Sequence, residues 1–220
     1  MYDGAMSNSR TYGDQCGVAR SLDIIGERWA LLIVRELLLG PKRFSDLSAG
    51  LTGASPNVIS QRLRELTGDG VVRHRDLGPP ARVQVYELTE WGRELEPVVL
   101  QLGLWGERTP TPEGAPPSLD SLLLAIQAKA DPGTVQGVYE LHIGADSITV
   151  RAVAGAVRIR HGTTERPAAI LSTDGDTLRA VCFGQRSVED AVKSGDLTLD
   201  GTDSTIAGLT ELLLTLIRPT

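Results

Sequence analysis

Residues 55–66 read Ser-Pro-Asn-Val-Ile-Ser-Gln-Arg-Leu-Arg-Glu-Leu, and this stretch decides the fold of the first half of the chain. Ser55 is a favoured N-cap residue, and Pro56 occupies the first helical position, where proline is well tolerated. At about 100° per residue, three apolar side chains share one side of the resulting helix: Ile59, Leu63 and Leu66. The stretch therefore predicts an amphipathic helix that packs on its neighbours through this apolar side.

The opposite side of this helix is polar. Four side chains lie on or beside it: Asn57, Ser60, Gln61 and Arg64. Amide and guanidinium groups can form paired hydrogen bonds with adenine and guanine in the major groove of DNA. The helix is therefore interpreted as one that reads bases, and the alternative interpretation is an ordinary solvated surface helix.

Three helices are predicted ahead of this one from the spacing of apolar residues: residues 18–25, 29–39 and 44–51. The second is almost continuously apolar, so we expect it to lie buried at the centre of a domain. The turn Thr-Gly-Ala at residues 52–54 separates the third helix from the one that begins after Ser55. These two helices are therefore predicted to form a helix-turn-helix.

A basic hairpin is predicted to follow. The runs 71–77 and 82–88 are strand-like and flank the turn Gly-Pro-Pro-Ala at residues 78–81. Between residues 42 and 82 the chain has seven basic and four acidic side chains, a local charge of +3 in a protein of net charge −6. The basic residues are Lys42, Arg43, Arg62, Arg64, Arg73, Arg75 and Arg82. This order of elements predicts a winged helix-turn-helix whose positive face contacts DNA phosphates.

The last helix of the first half, which Thr89 is expected to cap, has an apolar stripe too long for a small domain to cover. The stripe consists of Leu95, Val98, Val99, Leu102 and Trp105. Such a stripe usually packs against another subunit, and DNA half-sites are commonly read by two-fold symmetric dimers. The pattern therefore predicts a homodimer.

A proline-rich segment divides the chain. Residues 109–117, Thr-Pro-Thr-Pro-Glu-Gly-Ala-Pro-Pro, hinder both helix and sheet, which predicts a linker between two domains at 1–108 and 118–220. The chain has 13 basic and 14 acidic residues up to Arg108, and 9 basic and 14 acidic residues after it. The excess of negative charge is therefore concentrated in the second half.

The second half alternates helical and strand-like patterns. Helices are predicted at residues 119–130, 174–183, 188–193 and 204–217. Strands are predicted at residues 135–143, 148–153, 156–161, 168–173 and 196–199. The mixture of helices and strands predicts a fold of the α+β class.

Motifs and composition favour a binding protein over an enzyme. The three histidines form no HExxH, and the chain has no GxSxG, GxxxxGK[ST] or GxGxxG. No catalytic residue, metal site or cofactor is therefore predicted; the alternative is a catalytic site built from scattered carboxylates, which no local motif indicates. The two cysteines form no CxxC, and no apolar run approaches the roughly 20 residues of a membrane span. Because Met1–Gln15 lacks the apolar core of a signal peptide, we expect a cytoplasmic protein.

Residues 16–108 resemble the HxlR-type winged helix-turn-helix transcriptional regulators. The resemblance rests on Cys16, Gly26-Glu27-Arg28-Trp29, Gly40-Pro41-Lys42-Arg43-Phe44-Ser45-Asp46-Leu47, residues 55–63, Leu66, Gly70-Val71-Val72-Arg73, Tyr86-Glu87-Leu88-Thr89 and Trp105. It implies a dimer formed through the N-terminal segment and the last helix of the domain, in agreement with the uncovered stripe. One departure is Gly17, where such proteins often have proline, and it matters little for DNA binding.

The second half resembles the sterol carrier protein 2-like fold in its order of elements and in the segments 173–176 and 191–201. This resemblance implies helices packed over a curved, largely antiparallel sheet that can hold a small apolar ligand. The sequence does not identify ligand-binding residues. The alternative is a closed core that only supports dimerisation.

Cys16 is the candidate redox sensor, because some regulators of the HxlR type sense oxidants or electrophiles through an N-terminal cysteine. Arg20 follows four residues later and would favour the thiolate if both residues were helical. The alternative is an inert cysteine that packs in the interior. Cys182 lies in the run Ala-Val-Cys-Phe and is expected in the core.

The predicted function is sequence-specific, dimeric binding of double-stranded DNA at a palindromic operator, with the second domain as an effector module. Base contacts are expected from Asn57, Ser60, Gln61 and Arg64. Phosphate contacts are expected from Lys42, Arg43, Arg73, Arg75 and Arg82, and Ser55 completes the DNA-binding set. The alternative is a lipid-carrying or protein-interaction module whose winged domain mediates protein contacts.

Overall fold

The computed structural model describes residues 11–79, 83–110, 114, 116–133, 135–153 and 155–217. Contacts divide the described residues into two units. The first comprises those of Met1–Val99 and Glu113–Ser118, and the second those of Leu100–Pro112 and Leu119–Thr220. Within these described ranges, no helix is long and apolar enough to cross a membrane.

The first unit begins with four helices, whose positions confirm the predicted ones. They are α1 (Gly17–Ile25), α2 (Ala30–Leu38), α3 (Phe44–Gly50) and α4 (Pro56–Gly68). The core between them is aliphatic and fully buried: Ile33, Val34, Leu47, Ile59, Leu63 and Leu66 are at most 1% exposed. Burial of this aliphatic surface is what fixes α4 on the two helices before it.

A two-stranded wing follows α4. Strand β1 (Val72–Asp76) pairs antiparallel with β2 (Gln84–Leu88), and Val72 and Leu88 close the end of the hairpin that joins the core. A bridge between Lys42 and Tyr86 ties the segment after α2 to β2. The hairpin is the predicted one; the predicted start of its second strand at residue 82 lies outside the described residues.

The prediction of one long helix after Thr89 is wrong. The structure has two helices, α5 (Glu90–Arg93) and α6 (Glu96–Gly106). Pro97 explains the break, because proline has no N–H to donate to the carbonyl of Arg93 and its ring clashes there. The proline is instead accepted in the first turn of a new helix.

The second unit is an α+β fold, as predicted. Its elements are α7 (Leu119–Lys129), β3 (Gly137–Ile143), β4 (Asp146–Val153), β5 (Ala156–His161), β6 (Ala169–Thr173), α8 (Gly175–Cys182), α9 (Val188–Lys193), β7 (Leu197–Gly201) and α10 (Asp203–Leu213). The strand order is β5-β4-β3-β6-β7, and only the β3–β6 pair is parallel within this described sheet. The last helix ends earlier than predicted, and a 3-10 turn at Leu214–Leu216 follows it.

Two polar contacts fix α7 against the edge strand β5. The Gln127 side-chain oxygen accepts a hydrogen bond from the Ile159 amide at 2.8 Å, and His161 lies 2.9 Å from the Asp120 carboxylate. A helix that bonds to a strand amide in this way also blocks pairing of that strand with another chain.

One aromatic ring fills space at the centre of the second unit. Tyr139 is 1% exposed, and its hydroxyl donates to the Gln136 carbonyl at 2.6 Å. A Cβ atom at position 208 would lie 2.7 Å from that hydroxyl oxygen, so Gly208 in α10 allows the ring to fit. Even with aromatic residues scarce in the sequence, a buried tyrosine closes this part of the interior.

Candidate nucleic-acid interface

Helix α4 presents the two faces that its sequence predicts. Ser55 caps the helix, its hydroxyl accepting from the Val58 amide at 3.4 Å. The apolar residues face inward, and the side chains of Asn57, Gln61 and Arg64 are exposed while Ser60 is half-buried. An exposed row of amide and guanidinium groups on a firmly packed helix is suited to reading base edges.

Gln61 and Arg62 belong to a side-chain network along α4. The Gln61 amide nitrogen donates to Glu65 at 3.1 Å, which leaves its oxygen and one hydrogen for other partners. Arg62 is paired with Glu65 at 2.5 Å and with Glu27 at 3.7 Å, and only 14% of its side chain is exposed. Arg62 therefore stabilises the position of α4 and adds little to the positive surface.

The segment ahead of α2 supports the helix-turn-helix. Trp29 adopts a left-handed conformation, with φ of 78°, which is uncommon for a residue with a side chain. Its ring lies 3.7 Å from the position a Cβ would take at Gly53, in the turn before α4, and the Arg28 guanidinium lies 5.3 Å from the ring centroid. Together with the Glu27–Arg62 pair, this contact explains why residues 27–29 matter for the position of α4.

The predicted phosphate contacts differ in how far their charge is already paired. Among the described residues, Arg43 and Arg64 are exposed and form no ion pair, whereas Lys42 lies 2.8 Å from Glu36 and is largely buried. Arg64 is close enough to the wing to act on Tyr86: burial raises the pKa of the Tyr86 hydroxyl, and the Arg64 charge partly opposes this rise. Arg82 lies outside the described residues.

Glu36 is a fully buried carboxylate that the sequence analysis missed. It accepts from Arg35, from Lys42 and from the Ser118 hydroxyl, at 2.7–2.8 Å. Gly50 must remain small, because a Cβ there would lie 2.4 Å from a Glu36 oxygen. Three donors offset the cost of burying this charge. The spacing between Glu36 and Lys42 is the only local signal of the pair, and nothing local indicates Ser118.

The wing carries two arginines around one acid. Arg73 donates from Nε to Glu87 at 2.7 Å, and the Nε of Arg75 lies 3.3 Å from the other Glu87 oxygen. On the opposite face of the hairpin, the rings of His74 and Tyr86 are in contact, with centroids 4.1 Å apart and planes tilted by 52°. Both arginines are exposed, as phosphate contact requires.

Cys16 immediately precedes α1 and is exposed in the single chain. The main-chain amides of Ala19 and Val18, in the first turn of α1, lower the pKa of its thiol. Arg20 is not among the causes, which corrects the expected source of the effect. Burial has the opposite effect on Cys182 and raises the pKa of its thiol to about 12.

We expect the two cysteines to react very differently with an alkylating agent, because the thiolate is the reactive form. In the folded protein near neutral pH, iodoacetamide should modify Cys16 and leave Cys182 intact, as read by mass spectrometry of peptides. In denaturant both should be modified. Comparable labelling of Cys182 in the folded protein would contradict the burial described here.

A groove lies between α1 and the residues around α5. Its volume is about 450 Å³, and Ile24, Val71, Trp91 and Leu95 supply apolar lining. Apolar side chains are also exposed on two helices: Val18 and Leu22 on α1, and Val98, Leu102 and Trp105 on α6. Of the stripe predicted from the sequence, Val98, Leu102 and Trp105 are therefore exposed in the single chain, whereas Leu95 and Val99 are half-buried.

The fold and this surface define a winged helix-turn-helix transcriptional regulator. Residues 24–113 match the family of HxlR-like helix-turn-helix proteins. The transcriptional regulator YvaP of Bacillus subtilis is 41% identical over 87 residues, which are 39% of this chain and 80% of YvaP. YybR of the same organism is 39% identical over 94 residues, 42% of this chain and 74% of YybR. The chain belongs to the HxlR-like helix-turn-helix family.

Two solved structures are similar to parts of the chain. The redox regulator HypR in its oxidised form is 34% identical, covering 44% of this chain and all of HypR, with a TM-score of 0.41. Sterol carrier protein 2-like 2 from Aedes aegypti is 23% identical, covering 42% of this chain and 94% of that protein, with a TM-score of 0.38.

Proposed function

We propose that this protein regulates transcription by binding a specific DNA operator as a homodimer. Helix α4 reads bases through Asn57, Ser60, Gln61 and Arg64, starting from its Ser55 cap. Arg43, Arg73 and Arg75 contact phosphates, and Arg82 and Lys42 are assigned to the same set. The observation that carries the proposal is the exposed polar face of α4 beside a wing whose described arginines, Arg73 and Arg75, are also exposed.

The test of DNA binding is a gel shift on genomic fragments at several salt concentrations, after selection of bound fragments by pull-down and sequencing. A specific complex that weakens steeply with salt supports the proposal. A complex with no preference among fragments, or no complex at low salt, contradicts it and favours the lipid-carrying or protein-interaction alternative.

The dimer is supported by the exposed apolar residues of α1 and α6 and by the groove between α1 and Leu95. Exposure of these apolar side chains to water is unfavourable in a monomer. A two-fold symmetric dimer would bury the same side chains on both copies. The two α4 helices would then enter successive major grooves about 34 Å apart, so the operator would be palindromic.

We propose that the second unit binds a small apolar molecule and thereby controls DNA binding. Support comes from the resemblance of residues 173–176 and 191–201 to the sterol carrier protein 2-like fold; a ligand would have to enter an aliphatic interior in which Leu123, Ile148, Val150, Leu171, Leu178 and Leu209 are fully buried. Burying an apolar ligand would contribute roughly 25 cal/mol per Å² before the costs of binding. Control of DNA binding also requires that the ligand prefer one of the two functional states, because an indifferent ligand shifts no equilibrium.

Ligand binding is tested on the full chain. Native mass spectrometry is expected to find a molecule that co-purifies, and lipids or polyketide-like aromatics are expected to raise the melting temperature and change operator affinity. With ligand at about 100 times its Kd, the stabilisation should reach about 2.7 kcal/mol. No co-purifying molecule and no melting shift would leave the second unit as a dimerisation scaffold.

A further inference from the structure

One buried carboxylate holds both described arginines of the wing. In the hairpin register Arg73 is directly opposite Glu87, and Arg75 lies two residues further along β1 and hence on the same face. The Glu87 side chain is 4% exposed, whereas the side chains of Arg73 and Arg75 are 60% and 48% exposed. The acid is therefore buried beneath two cations whose outer ends reach solvent.

The atoms that make these contacts leave the binding ends of the arginines available. Both contacts to Glu87 use the Nε atom, which lies on one edge of the guanidinium group. A guanidinium has five N–H donors in a rigid plane, so the terminal nitrogens can still contact a phosphate. An arginine fixed in this way has already lost much of the rotamer freedom that phosphate binding would otherwise remove.

We infer that Glu87 is a positioning residue for DNA binding, which orders Arg73 and Arg75 so that both meet phosphates of the backbone. The inference rests on the proposed function and adds a residue to it that does not touch DNA. Glu87 adds a negative charge near the phosphates, which by itself weakens DNA binding. The ordering of Arg73 and Arg75 by Glu87 outweighs this effect, so the acid strengthens binding overall.

The test replaces Glu87 by glutamine in the full chain and measures affinity for the selected operator against salt concentration. Removing a negative charge by itself should tighten binding. Positioning predicts the opposite: affinity should fall about tenfold, and the slope of log K against log salt should decrease by about one to two contacts, at about 0.9 per contact. Glu90→Gln is the matched control, since Glu90 is exposed and undergoes the same change of charge; its affinity should stay equal or rise slightly.

A second variant keeps the test informative if Glu87→Gln lowers the melting temperature. Arg73→Lys retains the charge, but an ammonium group lacks the rigid planar guanidinium, whose Nε atom pairs with Glu87 while its terminal nitrogens remain available for a phosphate. Positioning predicts that Arg73→Lys loses nearly as much affinity as Arg73→Ala, whereas a simple charge effect predicts binding close to that of the unmodified protein.

Equal or tighter DNA binding by Glu87→Gln, with a normal melting temperature, overturns the inference, and so does full affinity of Arg73→Lys. Failure of the proposed function is distinguishable, because in that case the unmodified protein itself forms no specific, salt-dependent complex.

Discussion

Replacing Leu102 by glutamate is expected to convert the homodimer into a monomer and to reduce operator affinity by at least about 100-fold. Leu102 is 47% exposed at the middle of the α6 stripe, between Val98 and Trp105. A carboxylate placed there would be buried without a partner in both copies, at a cost that a modest interface does not offset. A monomer also loses the gain from binding two half-sites together, which is commonly about 10²–10⁴.

The measurement is light scattering at micromolar concentration, paired with a gel shift on the operator. Gln185→Glu is the control, because residue 185 is exposed and gains the same charge outside the stripe. The control should remain dimeric and bind DNA. A monomeric mass for the unmodified protein would contradict the dimer and, with it, the palindromic operator.

Arg64→Ala is expected to cost about 1–3 kcal/mol at the specific operator, which is about 5-fold to 150-fold in affinity. Arg64 is exposed on α4 and forms no ion pair among the described residues, so its guanidinium is available for a base. On random DNA the loss should be much smaller, because only a phosphate contact contributes equally to every sequence.

Competition binding with operator and random fragments separates a base contact of Arg64 from a phosphate contact. Arg93→Ala, an exposed arginine on α5, removes the same charge away from α4 and should change both affinities by the same small factor. Equal large losses on both DNAs for Arg64→Ala would make Arg64 a phosphate contact and leave base reading to Asn57, Ser60 and Gln61.

The faces of α4 could be predicted from sequence because they depend on helical periodicity alone. Ile59, Leu63 and Leu66 recur at the spacing of one helix face, so their burial and the exposure of Gln61 and Arg64 follow directly. The winged fold was predicted for a similar reason, since each of its elements is marked by caps, glycines and prolines within a few residues.

Charge pairing could not be predicted, because it depends on residues that are distant along the chain. Counting charges gives Lys42 and Arg62 the same weight as Arg64, yet Glu36 neutralises the first while Glu27 and Glu65 neutralise the second. The buried acids themselves lie in apolar or alternating runs that give no sign of burial. The Ser118–Glu36 hydrogen bond spans 82 residues, far beyond the range of any local pattern.

Each of the two units is built from two separate stretches of the chain, and this limits recombination between relatives. The chain passes into the second unit at Leu100, its described residues 114 and 116–118 belong to the first, and it re-enters the second at Leu119. Recombination within the proline-rich segment would therefore give one parent's α6 to the other parent's second unit. It could also separate Ser118 from the Glu36 that accepts its hydrogen bond. A chimera of two relatives therefore preserves both units only when two conditions are met. Residues 100–110 must come from the same parent as the second unit, and residues 114 and 116–118 must come from the same parent as the first unit.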